Sequence, residues 1–163
     1  AKNAAKILGV NDIEFLNFPD NEMDLISNLQ ITKAIEKIIK KFKPDQVFTH
    51  TNFDVNVDHR ALYNATLTAT RPKKGSKIKK VFAFEIPSST EWFFPTQFSP
   101  NVFVNIGSEI KTKIQALSKY KTEIEDYPHP RSKVAIESIS KKWGSVSGYN
   151  NAEAFYLIRE LTD

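Results

Sequence analysis

Cysteine does not occur in the 163 residues, and histidine, arginine and methionine are scarce at three, four and one. Without thiols there is no disulfide framework, no cysteine nucleophile and no thiolate site for zinc or iron–sulfur, so imidazoles and carboxylates are the only strong metal ligands left. No run approaches the ~20 apolar residues of a membrane span. Nothing at the N-terminus resembles a signal peptide, which predicts a cytoplasmic protein. The net charge of +4 comes from 19 Lys and 4 Arg. Readers of nucleic acid lean on Arg for base edges and phosphates, so no nucleic-acid partner is expected. What is present, 40% hydrophobic and 26% charged residues with 12 Phe, suits one globular domain over residues 1–163 that buries about two-thirds of its unfolded surface.

The opening AKNAAKILGV has no initiator Met and reads as the last turns of a helix closed by Gly9, so a segment upstream is expected. Ile13–Phe18 suits a strand, followed by turn chemistry at Pro19-Asp20-Asn21. From Asn28, Ile31, Ala34, Ile35, Ile38, Ile39 and Phe42 fall on one stripe of a helix that stops before Pro44. Gln46–Thr49 is a short apolar strand, and after a polar loop a helix runs from about Asp58 to Thr70. The lysine-rich stretch Lys73–Lys80 reads as a solvated loop. Strands are expected at Val81–Ile86, Val102–Ile106 and Glu153–Leu161, and helices at Glu109–Tyr120 and Arg131–Trp143, the latter ended by Gly144. Helices alternating with short strands predict an α/β fold, a three-layer Rossmann-like domain with a mostly parallel sheet whose site lies at the carboxyl ends of the strands.

The densest chemistry lies in HTNFDVNVDHR, residues 50–60, where two His, two Asp and two Asn follow a strand directly. A His opening a helix can offer one ring nitrogen to a metal while a carboxylate fixes the other. The same Asp54, Asn56 and Asp58 also suit turn and N-cap positions. Even with metal function granted, the loop supplies one or two ligands where a catalytic zinc wants three.

The segment FKPDQVFTHTNFDVNVDHRALYNATLTATRP resembles the second motif of the LmbE/PIG-L family of zinc-dependent N-acetyl-sugar deacetylases. AAKILGVNDIEFLNFPD, FSPNVFVNIGSEIKTKIQALSKYKTEI and WGSVSGYNNAEAF are similar to further segments of that family, so the resemblance covers nearly the whole chain. The family's first motif, His-Pro-Asp-Asp-Glu, with two zinc ligands and the base, is absent. The one His-Pro pair, His129-Pro130, is followed by Arg131 and Ser132 and by no acid. The expectation is therefore a deacetylase domain truncated at its N-terminus, inactive alone and weak in zinc binding. The alternative is a noncatalytic sugar-binding or scaffold protein that has lost the metal.

For the intact enzyme the resemblance implies Zn2+ as cofactor, His59 as a metal ligand, Asp58 as the carboxylate beside it, and an N-acetylglucosamine-type sugar or glycoconjugate as substrate. Asn56 stands where the family often has a second imidazole. An amide donates a hydrogen bond but no proton at neutral pH, which turns the acid role toward His129 or His50. Arg60 and Arg131 are candidates for sugar hydroxyls or a phosphate. Trp92, with Phe93 and Phe94, suits either stacking on a sugar ring or a core or oligomer contact, and a homo-oligomer stays open.

Overall fold

The computed structural model describes residues 1–162. It contains helices α1 (Lys2–Ile7), α2 (Asn28–Phe42), α3 (Val57–Ala69), α4 (Ile110–Leu117) and α5 (Lys133–Ser147) and strands β1 (Gln46–His50), β2 (Lys80–Phe84), β3 (Val102–Asn105) and β4 (Ala152–Glu160). The strands are ordered β1-β2-β4-β3. The α/β class holds, but the expected mostly parallel sheet does not. β1 and β2 are parallel, joined through α3, whereas β4 runs antiparallel to β2 with a register shift between Val81 and Phe82. Strand direction depends on how the chain returns after α5, which hydrophobic periodicity does not encode. No helix among the described residues is long and apolar enough to cross a membrane.

The chain gathers into two compact units, one of residues 1–15 and 103–154, the other of residues 16–102 and 155–163. In the second unit the side chains of Met23, Ile31 and Ala65 form a buried cluster, packed by Phe18, Ile26, Ile35, Ala61 and Leu62. α2 exists because its apolar stripe meets α3. Ser27 caps its start by accepting from the Gln30 amide, and Lys43 ends it in the left-handed conformation just before Pro44. On the sheet, Phe48 stacks on Phe82 at 4.9 Å and meets the Phe155 edge, while the Thr49 hydroxyl donates to Thr66 of α3. Residues 13–18 do not form the expected strand. Asn17 takes φ 53°, which no extended ladder accommodates, and Ile13, Phe15 and Leu16 lie exposed.

In the first unit α1 packs on α4, with Ala4 and Ala116 buried, and Phe103 meets Trp143 of α5 at 6.1 Å. Ser132 caps α5 by accepting from the Ala135 amide. The helix runs past Gly144, its expected end, to Gly148, whose φ of 79° supplies the left-handed cap. Gly144 answers a different need. A Cβ there would lie 2.6 Å from the Tyr149 carbonyl oxygen and 2.9 Å from the Asn150 backbone. Within a helix Gly→Ala ordinarily gains about 1 kcal/mol. Here the contact is with backbone, so Gly144→Ala is expected to cost about 1–3 kcal/mol, read as a fall in the urea unfolding midpoint.

Candidate functional site

The site forms in the second unit where β1 ends and α3 begins. Asn56 is the N-cap of α3, its side-chain oxygen accepting from the amides of Asp58 at 2.8 Å and His59 at 3.4 Å. This cap turns His59 back over the loop, where its ring stacks on that of His50 with centroids 4.3 Å apart and planes 14° from parallel. His59 Nδ1 lies 3.0 Å from the Asp54 carboxylate. Asp54 has no exposed surface. It also accepts from the Asn56 amide at 2.8 Å, from the Thr90 hydroxyl at 2.8 Å and from the Ser89 hydroxyl.

Burial pushes the Asp54 carboxyl up, but the hydrogen bonds from His59, Ser89, the Asn56 amide and Thr90 outweigh it and hold its pKa below the ordinary value. An ionised Asp54 keeps the proton of neutral His59 on Nδ1 and leaves the lone pair on Nε2. His50 is of the opposite kind. Burial first, then the neighbouring His59 ring, lower its pKa to about 4 against a partial rise from Asp54, so it is neutral at physiological pH. Its Nδ1 is buried without a hydrogen-bond partner.

Ser, His and Asp meet here without forming a nucleophilic triad. Ser89 Oγ lies 3.5 Å from His59 Nδ1, the nitrogen that Asp54 already occupies. A triad needs the hydroxyl and the carboxylate on opposite ring nitrogens. For zinc, His59 offers one position through Nε2. His50 does not add a second, because lone pairs lying in two nearly parallel ring planes do not converge on one ion at roughly 2.0–2.1 Å. Among the described residues no group of three or more His, Asp or Glu is placed to hold a metal. These residues therefore fit one coordination position of a zinc ion and not a complete site.

The other residues singled out in the sequence are placed as follows. Asp58 does not support His59. Its carboxylate accepts from the amides of Asn21 at 2.7 Å and Met23 at 2.9 Å, and Asp54 takes the supporting place instead. The Asn56 side-chain nitrogen donates to Asn21 Oδ1. Arg60 donates through Nη1 to the carbonyls of Asp54 and Val55, tying the loop rather than reaching outward. Trp92 lies in a short 3-10 turn and is 48% exposed. His129 and Arg131 belong to the first unit, where His129 Nδ1 accepts from the Arg131 amide and Arg131 pairs with Glu123. Sequence reasoning missed Ser89 and Thr90. They lie 35 residues or more from Asp54 and carry no motif.

The unfolded chain binds a proton at His50 near pH 6.5 that the folded chain refuses until about pH 4. Stability is thus complete above pH 6.5 and falls by up to about 3 kcal/mol on acidification to pH 4, whereas His50→Phe should flatten that window in urea titrations. Below it, the depressed Asp54 pKa gives a second loss, because the stability it contributes is present above its unfolded value and removed as pH falls through its folded one. Zinc added in equal amount should be lost on dialysis. Retention after dialysis, abolished by His59→Ala, would reveal donors beyond His59.

Residues 1–70 match the family PIG-L: GlcNAc-PI de-N-acetylase. The chain is 35% identical over 128 residues to the uncharacterized deacetylase YaiS of Escherichia coli (strain K12), which covers 75% of this chain and 63% of that protein. It is 24% identical over 125 residues to the probable N-acetyl-alpha-D-glucosaminyl L-malate deacetylase 2 of Bacillus cereus (strain ATCC 14579), covering 76% and 56%. The chain therefore spans less than two-thirds of the length of these curated relatives. N,N'-diacetylchitobiose deacetylase from Pyrococcus horikoshii shares the fold, with a TM-score of 0.75 at 19% identity over 97% of this chain and 61% of that one. Over residues 1–70 the chain is similar to the PIG-L/LmbE family, and the deacetylase relative at 35% identity and the shared fold agree with that likeness.

Proposed function

We propose that the chain supplies the imidazole part of a hydrolytic site that removes an acetyl group from an N-acetylated amino sugar. The observation that carries this is the buried Asp54–His59 pair, which leaves His59 Nε2 with an available lone pair. Metal-ligating imidazoles are held in this way, and a zinc ion bound at Nε2 would supply Lewis-acid polarisation of the acetamide carbonyl. Asp54 fixes the tautomer and the ring plane. Ser89 and Thr90 hold Asp54 in turn, so the carboxylate cannot rotate away from Nδ1.

Support for the substrate class comes from the relatives: a probable N-acetylglucosaminyl malate deacetylase in sequence and a diacetylchitobiose deacetylase in fold.

The test is acetate release from an N-acetylglucosamine glycoconjugate by the protein that contains this chain. His59→Ala should abolish activity, and Asp54→Asn should lower it about 10–100-fold, as loss of a ligand-orienting partner does. Full activity in His59→Ala would overturn the proposed role of this imidazole, whereas no acetate release by the parent protein would favour a noncatalytic sugar-binding protein.

A further inference from the structure

The loop that leaves β1 borders a second feature. Thr51 and Asn52, the residues directly after His50, line a semi-enclosed cavity of about 240 Å³ within the second unit. That volume holds about eight waters at ~30 Å³ each and falls below the ~300–1,000 Å³ of pockets for drug-sized ligands, so it suits one ring. Four aromatic side chains line it: Phe53, Tyr63, Phe98 and Tyr156. Phe53 and Tyr156 are 42% and 45% exposed, a large aromatic surface to leave in water. Ala83, whose partners across the sheet are Thr49 and Tyr156, also lines the cavity, and its single methyl leaves the space open.

The polar lining is equally specific. The amides of Asn52 and Gln97 each donate and accept, as a ring bearing several hydroxyls requires. Burial, then the neighbouring Tyr156, raise the Tyr63 pKa above its ordinary value and keep that phenol neutral. No lining residue is charged. A phosphate or carboxylate placed here would lose hydration without gaining a counter-charge.

We infer that this cavity is a subsite for a neutral pyranose ring, so that the N-acetylated sugar is presented on a neutral glycan and not on a phosphate-bearing or carboxylate-bearing aglycone. The inference rests on the deacetylase reading for what happens next door, but the subsite is measured by binding alone. Thr51, in the cavity wall, directly follows His50 in the chain, so the cavity and the stacked histidines border the same loop.

The experiment is calorimetric titration of the protein with N-acetylglucosamine, N,N'-diacetylchitobiose and N-acetylglucosamine 1-phosphate, with acetate release followed in parallel. Chitobiose should bind about tenfold tighter than the monosaccharide, with Phe53→Ala and Tyr156→Ala each removing most of that gain while monosaccharide binding stays unchanged. Both side chains are partly exposed, so the variants should fold, and unfolding midpoints check this. The 1-phosphate binding as tightly as chitobiose, or folded variants that bind chitobiose like the parent, would overturn the subsite. Variant-sensitive chitobiose binding without acetate release would keep the subsite and remove the deacetylase reading. Acetate release with chitobiose binding indifferent to the variants would do the reverse.

Discussion

The buried carboxylate of Asp54 is the constraint on which the second unit's polar architecture depends. An ionised carboxyl without contact with water costs several kcal/mol unless its lone pairs are met. Here four donors meet them, from the loop, from the first turn of α3 and from the turn at residues 86–90. That turn is itself held. Thr90 Oγ1 accepts from the Ile86 amide, and the Glu91 carboxylate accepts from the amides of Ser88 and Ser89. Each donor is oriented by another bond before it reaches Asp54, so the network is satisfied as a whole, the condition under which buried polar groups specify one geometry.

The division of labour between the two aspartates of the loop follows from helix geometry. Asp58 sits in the first turn of α3, where its carboxylate faces the segment before α2 and clasps the amides of Asn21 and Met23. Asn21 takes φ 57°, a conformation that Asn tolerates better than most residues, and this aims its amide at Asp58. The clasp fixes Met23 against Ile31 and Ala65. Asp54 precedes the cap and faces inward. One carboxylate therefore joins α3 to the core and the other sets the tautomer of the site histidine.

Much of the fold was legible from residue patterns, with particular failures. α2 was readable because its apolar stripe and the stop before Pro44 report the same helix; its Ser27 cap appeared only in the structure. α3 was readable in its body but not at its start, which was expected at about Asp58 and is capped by Asn56. The stretch 13–18 was misread because composition records apolarity but not the backbone twist at Asn17. Gly144 was misread because a glycine needed for close approach and a glycine needed to end a helix look the same in a sequence; only the position of the Tyr149 carbonyl separates them.

The sequence by itself determined the chemistry available: no thiol, two imidazoles and two carboxylates in ten residues after a strand, and a helix cap that must place His59 at the start of α3. It thereby marked the loop as the candidate site and carried the family resemblance. Tertiary structure decided which carboxylate holds His59, that Ser89 and Thr90 complete the network, that His50 is buried as a neutral ring, and that β4 runs against β2. The reason is the range of the interactions. Caps and helix stripes act over three or four residues and are written locally, whereas burial and hydrogen bonds to Asp54 depend on segments 35 and 36 residues apart, which become neighbours only when the sheet and its helices pack.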